Sequence, residues 1–299
     1  MIVKESKYIS YNGTIILSDE FKPEFNNRAF QYGDGLFETM HTLGTEVQFF
    51  YEHMERLIRS MKVLKMEVPV RFSIDTLGLQ KEITRLLTKN RIYNGGRVRL
   101  TVFRQSGGFY SPENNEVNYL IQTEHLKTKQ YELNTQGYNI DIFEDIQKPI
   151  NVLSGLKVTS SVFYVMAGIF KSENKLDECL IINERGNIVE GVSANVFIVK
   201  ENNIFTPSLK SGCLDGIMRK KVIDIAKSEG LTVYDEIPIQ LADIMAADEL
   251  FFTNAITGIK WVLGFKQRRY FNKIAKQLSD KLNETVFAES KVRTEVGEY

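Results

Sequence analysis

The chain has 299 residues, of which 43% are hydrophobic and 25% charged, so it is long enough for one large or two medium globular domains with a sizeable core. Its 38 basic residues equal its 38 acidic residues, which removes the overall electrostatic case for nucleic acid or an anionic membrane as the main partner. A small molecule is therefore the expected partner. Two cysteines and three histidines support neither a disulfide framework nor a Cys/His zinc site.

The N-terminal stretch Met1-Ile-Val-Lys-Glu-Ser-Lys has no apolar run of the kind found in secretory leaders, and no run of 18 apolar residues occurs in the chain. We expect a cytoplasmic protein without a membrane span. A reducing compartment fits the two cysteines, Cys179 and Cys213.

The first fifty residues predict short strands and turns, with a strand at residues 15–17 and a hairpin over residues 42–50. Between them, Gly33 and Gly35 flank Asp34. Two glycines allow a tight backbone path that could approach a ligand, and a plain turn is the alternative.

Residues 51–66 predict an amphipathic helix, because apolar side chains recur at helical spacing. The predicted buried stripe consists of Met54, Leu57, Ile58, Met61 and Leu64. Arg56 falls off this stripe, which leaves two interpretations: a solvated charge, or a cation that clamps an anion at the edge of a cleft.

A second helix is predicted over residues 74–89, with Leu77, Ile83, Leu86 and Leu87 inward. Strands follow at residues 97–103, where Val98, Leu100 and Val102 alternate, and at residues 117–123. The loop from 104 to 112 is polar with aromatic side chains, which is typical of a substrate gate or of a mobile hairpin end. Residues 124–137 are polar and lose periodicity, so we place a linker there between domains 1–123 and 138–299.

The second half begins with a strand at residues 138–143 and then reaches Lys157, which follows a Ser-Gly turn. Thr159, Ser160 and Ser161 offer N-cap oxygens to a helix with the predicted buried stripe Val162, Met166, Ile169 and Phe170. A lysine held at the mouth of a packed helix can act as a Schiff-base nucleophile, and a solvated surface lysine is the alternative.

Glu190 lies in the apolar strand Ile188-Val-Glu-Gly. A carboxylate in such a strand is costly unless it contacts a cation or a pyridinium. The alternative is a strand glutamate that faces water. Neighbouring strands are predicted at residues 178–183, 195–199 and 203–206.

A helix is predicted over residues 220–228, and the stretch from Ser211 to Arg219 leads directly into it. Gly216 at its first turn would leave backbone N–H groups for a phosphate. A buried strand over residues 248–253 enters a polar loop, and Phe271, Ile274, Leu278 and Leu282 predict a terminal amphipathic helix. The chain contains no internal repeat, P-loop or dinucleotide glycine motif.

In this order, the motifs resemble those of the fold-type IV pyridoxal-phosphate enzymes, also called class IV aminotransferases. The family includes branched-chain aminotransferases, D-amino-acid aminotransferases, amine transaminases and 4-amino-4-deoxychorismate lyases. The matching motifs are Asn27-Arg-Ala-Phe-Gln-Tyr-Gly-Asp-Gly-Leu-Phe-Glu-Thr39, His53-Met-Glu-Arg-Leu57, Gly155-Leu-Lys157, Val189-Glu-Gly-Val-Ser-Ala-Asn-Val-Phe197, Gly216-Ile-Met-Arg219 and Thr253-Asn-Ala255.

The resemblance implies an α/β fold of the α+β type, with two domains, pyridoxal 5′-phosphate between them, and a homodimer. Lys157 would bind the cofactor as a Schiff base and serve as the proton-transfer base. Glu190 would face the pyridine nitrogen. The phosphate would be held by Arg56, the backbone at Ile217 and Met218, and the loop Asn254, Ala255 and Ile256.

For the reaction, the chain departs from the branched-chain enzymes, which carry a tyrosine five residues after the lysine and an acidic residue where this chain has Val162 and Ala194. Gly216-Ile-Met-Arg, Asn254-Ala, the loop from Arg104 to Tyr110, and Thr39 resemble the aminodeoxychorismate lyases. These release pyruvate and 4-aminobenzoate, the latter for folate biosynthesis.

In the lyase, Thr39 would place a hydroxyl near the leaving oxygen, and a β-branched residue packing at a strand end is its alternative interpretation. Two alternative functions stay open. One is an aminotransferase of branched-chain or D-amino acids, and the other is a non-catalytic binding module that kept the fold.

Overall fold

The structure is a computed structural model that describes residues 6–296, with side chains over residues 6–286. The first five residues, on which part of the leader prediction depends, and residues 297–299 lie outside this range. The chain divides into two compact units, Met1–Gln130 with Leu156–Ser161, and Tyr131–Gly155 with Val162–Tyr299. Residues 124–137, the predicted linker, are shared between the two units, and the predicted domain bounds stay a prediction.

The first unit has an antiparallel sheet with helices on one face. Its strands are β1 (Tyr8–Tyr11), β2 (Thr14–Leu17), β3 (Gly35–Leu43), β4 (Glu46–Val47), β5 (Gly95–Arg104) and β6 (Val117–His125). Its helices are α1 (Arg28–Tyr32), α2 (Phe50–Val63), α3 (Val70–Ser73) and α4 (Thr76–Lys89), with a 3-10 helix at Ser18–Glu20. The strand order is β2-β1-β6-β5-β3-β4.

The core of the first unit lies between this sheet and helices α2 and α4. Because side chains alternate along a strand, Val98, Leu100 and Val102 of β5 all point into this core, as predicted. Met54, Leu57 and Met61 of α2 and Ile83, Leu86 and Leu87 of α4 pack against them. The opposite face of β3 and β5 carries Phe37, Thr39 and Arg99.

Residues Leu156–Ser161 attach to the start of β3 through backbone hydrogen bonds. The Phe37 N–H donates to the Lys157 carbonyl at 2.9 Å, and the Thr159 N–H donates to the Gly35 carbonyl at 2.9 Å. Gly33 ends α1 with a φ of 66°, and a Cβ there would come within 2.8 Å of the Ser160 Cβ. A glycine is required at this position by both backbone conformation and space.

The second unit is built on a mixed sheet. Its strands are β7 (Tyr138–Lys148), β8 (Glu178–Asn183), β9 (Ile188–Gly191), β10 (Asn195–Lys200), β11 (Asn203–Pro207), β12 (Val233–Ile237), β13 (Glu249–Asn254), β14 (Gly258–Phe265) and β15 (Arg268–Arg269). Its helices are α5 (Val162–Glu173), α6 (Ile217–Ser228), α7 (Leu241–Ala246) and α8 (Lys273–Val296), with a 3-10 helix at Leu209–Ser211.

The order of this second sheet is β12-β11-β10-β13-β14-β7-β8-β9, and β15 pairs with β14. Strand β7 runs parallel to both of its neighbours, β14 and β8, whereas β9, β10 and β13 form antiparallel pairs. The two sheets and their helices confirm the predicted α+β class.

The predicted inward position of Leu77 is wrong, since this side chain is 62% exposed. Helix α4 begins at Thr76, with the Asp75 side chain accepting from the Gly78 N–H, and it buries Leu79 instead. At about 100° per residue, Leu77 lies on the side of the helix opposite Leu79 and Ile83.

The predicted buried stripe of α5 is also wrong in part. Val162 is 73% exposed, and Met166 and Ile169 are exposed as well. The buried face consists of Phe163, Tyr164, Ala167 and Phe170, which pack on Phe143, Cys179, Ile181 and Val189. Because α5 is apolar nearly all round, its periodicity did not indicate which face is buried.

Phe271 is exposed and precedes α8, which begins at Lys273, so it is not part of the terminal stripe. Ile274, Leu278 and Leu282 are buried as predicted. Over residues 6–296, no helix combines the length and the apolar composition that a membrane span needs. The same residues contain no group of three or more His, Cys, Asp or Glu side chains placed to hold a metal ion.

Candidate active site

Arg56 is held in the first unit by a buried carboxylate on β3. Arg56 is 6% exposed, and its Nε and Nη2 donate to the two oxygens of Glu38 at 2.8 and 2.5 Å. His53, one turn earlier on α2, contacts Glu38 Oε2 through Nδ1 at 2.7 Å. The solvated-charge interpretation of Arg56 is therefore wrong. Alongside its apolar stripe, α2 buries a second, polar row of His53, Arg56 and Ser60.

The charges of this cluster follow from its geometry. Burial alone would raise the pKa of Glu38, but the Arg56 guanidinium and the hydrogen bonds from His53 and Arg56 outweigh it and lower the pKa to about 2. Burial lowers the pKa of His53, and the positive charges of Arg56 and Lys157 lower it further. The hydrogen bond and the negative charge of Glu38 raise it, but the net shift is downward. A neutral His53 that donates from Nδ1 leaves Nε2 as an acceptor, and this buried atom has no hydrogen-bond partner among the described residues.

Lys157 lies on the face of the first sheet opposite its core. Its Nζ is 4.3 Å from the centroid of the Phe37 ring, and the Arg99 guanidinium carbon is 3.8 Å from the same centroid. Thr39 is two residues beyond Phe37 and pairs directly with Arg99 in the β3–β5 register. Residues two apart on a strand, and residues directly opposite across a pair, share a face. The structure therefore places the predicted residues Lys157 and Thr39 on one face, together with Arg99.

The loop after β5 is anchored to this unit by two arginines. Arg104, which belongs to β5 and is buried, donates from Nε to Asp34 at 3.0 Å. Arg28 also donates to Asp34, at 2.8 Å, and its Nη1 donates to the carbonyls of Gly107 and Phe109. Asp34, between its two glycines, thus organises the loop. Substrate gating by this loop stays a prediction.

Glu190 is the centre of a buried polar cluster in the second unit. It is 3% exposed, and its Oε1 accepts from Lys148 Nζ at 2.5 Å and from the Tyr164 hydroxyl at 2.7 Å. Its Oε2 accepts from the Leu214 N–H at 2.8 Å. Burial and the Glu190 charge raise the pKa of Tyr164, so the phenol stays protonated and donates. The alternative of a glutamate that faces water is therefore wrong.

The N-terminus of α6 lies directly beyond this contact. Asn195 donates from Nδ2 to the Leu214 carbonyl at 2.8 Å, so Glu190 and Asn195 hold both backbone groups of Leu214. Gly216 is the N-cap, no side chain caps the helix, and a Cβ at Gly216 would overlap Asn195 Oδ1. The first N–H groups of a helix have no partner within it, so those of Ile217 and Met218 are placed to bind an anion.

The loop after β13 forms a tight turn around Asn254. Asn254 Oδ1 accepts from the N–H groups of Ile256 and Thr257 at 3.0 and 2.8 Å, and from the Thr257 hydroxyl at 3.0 Å. Asn254 and Ile256 therefore shape the turn that carries Ala255. Just before it, the buried Thr253 Oγ1 has no hydrogen-bond partner among the described residues.

Comparison with known proteins identifies the family. The profile described as Amino-transferase class IV matches residues 35–263. The chain belongs to the class IV aminotransferase family. The predicted membership is confirmed, and pyridoxal 5′-phosphate is the cofactor expected of this family.

Individual relatives of the chain include both reaction types. An aminodeoxychorismate lyase of Bacillus subtilis is 30% identical over 240 residues, covering 78% of each chain. A branched-chain-amino-acid aminotransferase of Pseudomonas aeruginosa is 25% identical over 270 residues, covering 86% of this chain and 85% of its own. A branched-chain aminotransferase structure from Thermobaculum terrenum, described as the PLP form, has a TM-score of 0.82 at 20% identity and covers 95% of each chain.

The polar groups of this class IV chain suit a cofactor that carries an aldehyde, a ring nitrogen and a phosphate. The first unit offers the Lys157 amine. The second unit by itself offers the buried Glu190 carboxylate and the N–H groups of the uncapped start of α6. Two buried polar atoms, His53 Nε2 and Thr253 Oγ1, have no partner within the described residues, which a bound group or water would satisfy.

Several residues around these groups are not among the site residues predicted from the sequence. Glu38 and His53 lie inside the recognised motifs, and only their pairing with Arg56 was missed. Lys148 and Tyr164 are far from Glu190 in sequence and carry no local signal. Arg99 was assigned to a strand, although its strict alternation with Val98 and Leu100 places it on the face opposite the core.

The Glu38 cluster predicts a specific loss of stability in acid. Because the pKa of Glu38 falls from 4.5 to about 2 on folding, its contribution is complete above pH 4.5 and is lost as the pH falls from 4.5 towards 2. This shift corresponds to about 3 kcal/mol in the free energy of unfolding. We expect urea unfolding of the cofactor-free wild type to show this loss and Glu38→Gln to lack it.

Glu55→Gln is the matched control, because Glu55 lies exposed on the same helix and its variant should keep the wild-type pH dependence. Equal acid sensitivity of the wild type and Glu38→Gln would show that Glu38 does not carry this stabilisation.

In the same urea-unfolding assay, Arg56→Met should destabilise the protein by about 3–5 kcal/mol at neutral pH, since it leaves a buried carboxylate without its guanidinium.

Proposed function

We propose that this class IV chain is a pyridoxal-phosphate-dependent 4-amino-4-deoxychorismate lyase. The observation that carries the proposal is the shared face of Lys157, Thr39 and Arg99 around the Phe37 ring. The elimination needs an amine for proton transfer at the amine-bearing carbon, a hydroxyl that donates a hydrogen bond to the leaving oxygen, and a cation that attracts a carboxylate of the substrate. This face of the sheet carries all three groups.

In this proposal the cofactor is held by residues of both sequence halves. Lys157 would hold its aldehyde carbon, and Glu190 would face its ring nitrogen. Arg56 and the N–H groups of Ile217 and Met218 bind the phosphate, with Ala255 presented by the turn that Asn254 and Ile256 shape. When bound, pyridoxal phosphate supplies an electron sink for the carbon that loses its proton.

Each residue then has a defined task. The Lys157 amine takes the proton from the amine-bearing carbon. The Thr39 hydroxyl donates a hydrogen bond to the ether oxygen that departs with the enolpyruvyl group. Arg99, fixed over Phe37 at 3.8 Å, orients a carboxylate of the substrate. The products are pyruvate and 4-aminobenzoate.

An aminotransferase is the second candidate function. It is favoured by the extent of the similarity, because the Pseudomonas aeruginosa aminotransferase aligns over 86% of this chain and the Bacillus subtilis lyase over 78%. Arg99 would equally attract the carboxylate of a branched-chain or D-amino acid. A binding module without chemistry is disfavoured, since it needs neither a Schiff-base lysine nor a buried carboxylate opposite a ring nitrogen.

We also propose that the protein is a homodimer. The exposed side of α5 presents Val162, Val165, Met166 and Ile169, an apolar stripe with helical spacing. A second copy of the chain would remove this stripe from water. We expect a dimer in sedimentation velocity and a monomer for Val165→Glu with unchanged circular dichroism. A wild type that sediments as a monomer at all concentrations would contradict this assignment.

The cofactor assignment predicts a coloured protein that is labelled at one lysine. With pyridoxal 5′-phosphate the wild type should absorb in the visible. Borohydride should then fix a phosphopyridoxyl group on Lys157, as measured by peptide mass spectrometry, because only a Schiff-base lysine is reduced in this way. Lys157→Met should show neither signal, whereas Lys200→Met, at an exposed strand end, should show both. Labelling of another lysine in the wild type would refute the role of Lys157.

The reaction assignment predicts elimination without a keto acid. With aminodeoxychorismate, the wild type should release pyruvate and 4-aminobenzoate in equal amounts and keep its visible absorbance over many turnovers. Thr39→Val keeps the β-branched shape and removes only the hydroxyl, so we expect kcat to fall about 100-fold with little change in fold or colour.

Thr42→Val provides the comparison, because Thr42 lies on the same strand and its hydroxyl donates to the Gly44 carbonyl at 3.0 Å. This variant should keep the wild-type kcat. If branched-chain or D-amino acids alone quickly abolish the visible absorbance, and no 4-aminobenzoate forms, then the aminotransferase function replaces the lyase.

A further inference from the structure

Glu190 shares its carboxylate with a buried cation. Lys148 Nζ lies 2.5 Å from Glu190 Oε1, and the two residues are 5% and 3% exposed. Water and salt therefore screen this ion pair little. Lys148 belongs to no motif of the sequence analysis, and the proposed function gives it no task.

The backbone is arranged to deliver Lys148 to this position. Strand β7 pairs regularly with β8 as far as Phe143, and the register then shifts so that Lys148 pairs with Asn183. The Glu184 N–H donates to the Lys148 carbonyl at 3.0 Å and closes this irregular end. Irregularities of this kind re-aim a side chain. Here the re-aimed side chain is the lysine that reaches Glu190.

Stability alone does not account for a lysine at this position. The desolvation of two buried charges often cancels their attraction, and an apolar pair of similar volume is frequently as stable. The surrounding residues Phe143, Ala167, Ile181 and Val189 already form an apolar cluster that such a pair could extend. The ion pair is therefore better explained by what Glu190 does for a ligand.

A carboxylate opposite a ring nitrogen draws a proton onto that nitrogen, because negative charge stabilises the pyridinium. An ammonium on the same carboxylate acts in the opposite direction, since it cancels part of the negative potential at the nitrogen. The Tyr164 hydroxyl, also on Oε1 at 2.7 Å, withdraws charge in the same sense but as a neutral donor.

We propose that Lys148 is a positioning residue that limits how strongly Glu190 holds a proton on the ring nitrogen of bound pyridoxal phosphate. This inference rests on the proposed cofactor function. With Lys148 present, the ring nitrogen takes up its proton at a lower pH than it would beside Glu190 alone. The chain thereby sets the strength of the electron sink through a residue that does not contact the cofactor.

The other groups around Glu190 do not duplicate this effect. Burial, reinforced by Glu190, raises the pKa of Cys213 to about 12, so its thiol stays neutral. Arg219 and Asp215 act on Cys213 with opposite signs. Tyr164 stays protonated because burial and Glu190 raise its pKa. Of these groups, Lys148 is the one with a full positive charge at hydrogen-bond distance from Glu190.

The protonation of the ring nitrogen can be read directly. The wild type is loaded with pyridoxal 5′-phosphate that carries nitrogen-15 in the ring, and the nitrogen chemical shift is followed by NMR over the pH range in which the protein stays folded. We expect Lys148→Met to raise the midpoint of this titration by about one to three pH units, the scale of one close opposite charge. Lys148→Arg keeps the charge and should restore the wild-type midpoint.

Two further variants separate this role from a general structural one. Tyr164→Phe removes the neutral donor and should raise the midpoint by about half as much, and it provides the test if Lys148→Met does not fold. Lys200→Met removes an exposed ammonium from the same unit and should leave the midpoint unchanged.

An unchanged or lowered midpoint in Lys148→Met, or in Tyr164→Phe where Lys148→Met is unfolded, would overturn the inference. In that case the cofactor would still be taken up and fixed on Lys157, so the proposed function would stand. A wild type that takes up no pyridoxal phosphate would remove the proposed function, and this inference with it.

Discussion

The backbone pairing of residues 156–161 with β3 is the constraint on which the candidate chemistry depends. The Phe37 N–H donates to the Lys157 carbonyl, and the Thr159 side chain and N–H bond to the carbonyls of Gly33 and Gly35. Lys157 is thereby fixed to the strand that carries Thr39, although its neighbours in sequence on both sides belong to the other unit. Gly33 permits the contact, because any side chain there would meet Ser160. A flexible four-carbon side chain gains a defined position from this anchoring of its backbone.

Each unit also contains a buried carboxylate with a buried cation, and the two clusters are alike in design. Glu38 joins Arg56 and His53 in the first unit, and Glu190 joins Lys148 and Tyr164 in the second. Buried ion pairs contribute little net stability compared with apolar packing, whereas the loss of one partner is costly. Both carboxylates therefore fix a charged side chain or a backbone segment in place. Glu38 orients Arg56, and Glu190 with Asn195 holds Leu214 just ahead of the α6 N-terminus.

The sequence predicted the family from the order of its motifs, and it predicted most helices and strands where one face is apolar. Helix α2 and strand β5 are examples, because their buried residues recur at the spacing of a helix and of a strand. The buried face of α5 could not be predicted in this way, because the helix is apolar on both sides. Its buried face is defined by the packing of Phe163 and Ala167 on Phe143. The environment of Arg56 cannot be predicted from the apolar stripe of α2, because the carboxylate that holds it belongs to β3.

Lys148 shows a limit of a different kind. It precedes Glu190 by 42 positions, and the contact exists because β8 lies between β7 and β9 in the sheet and the β7–β8 register shifts before Lys148. No local pattern encodes a pairing across strands, so long-range contacts of this sort are visible only in the folded chain. The same holds for Arg99, whose relation to Phe37 and Thr39 is set by the register of β3 on β5.

The choice between elimination and transamination is therefore a question about one sheet face. In the proposed function both reactions would use Lys157, Glu190 and the N–H groups of α6 in the same roles, so none of these discriminates between them. What can discriminate is a group placed beside Lys157 that acts on a leaving oxygen or on a second carboxylate. Thr39 and Arg99 are such groups, and both are held by the β3–β5 pairing rather than by a loop. Because rigid strands position side chains more precisely than loops do, the specificity of this chain is best sought on that face.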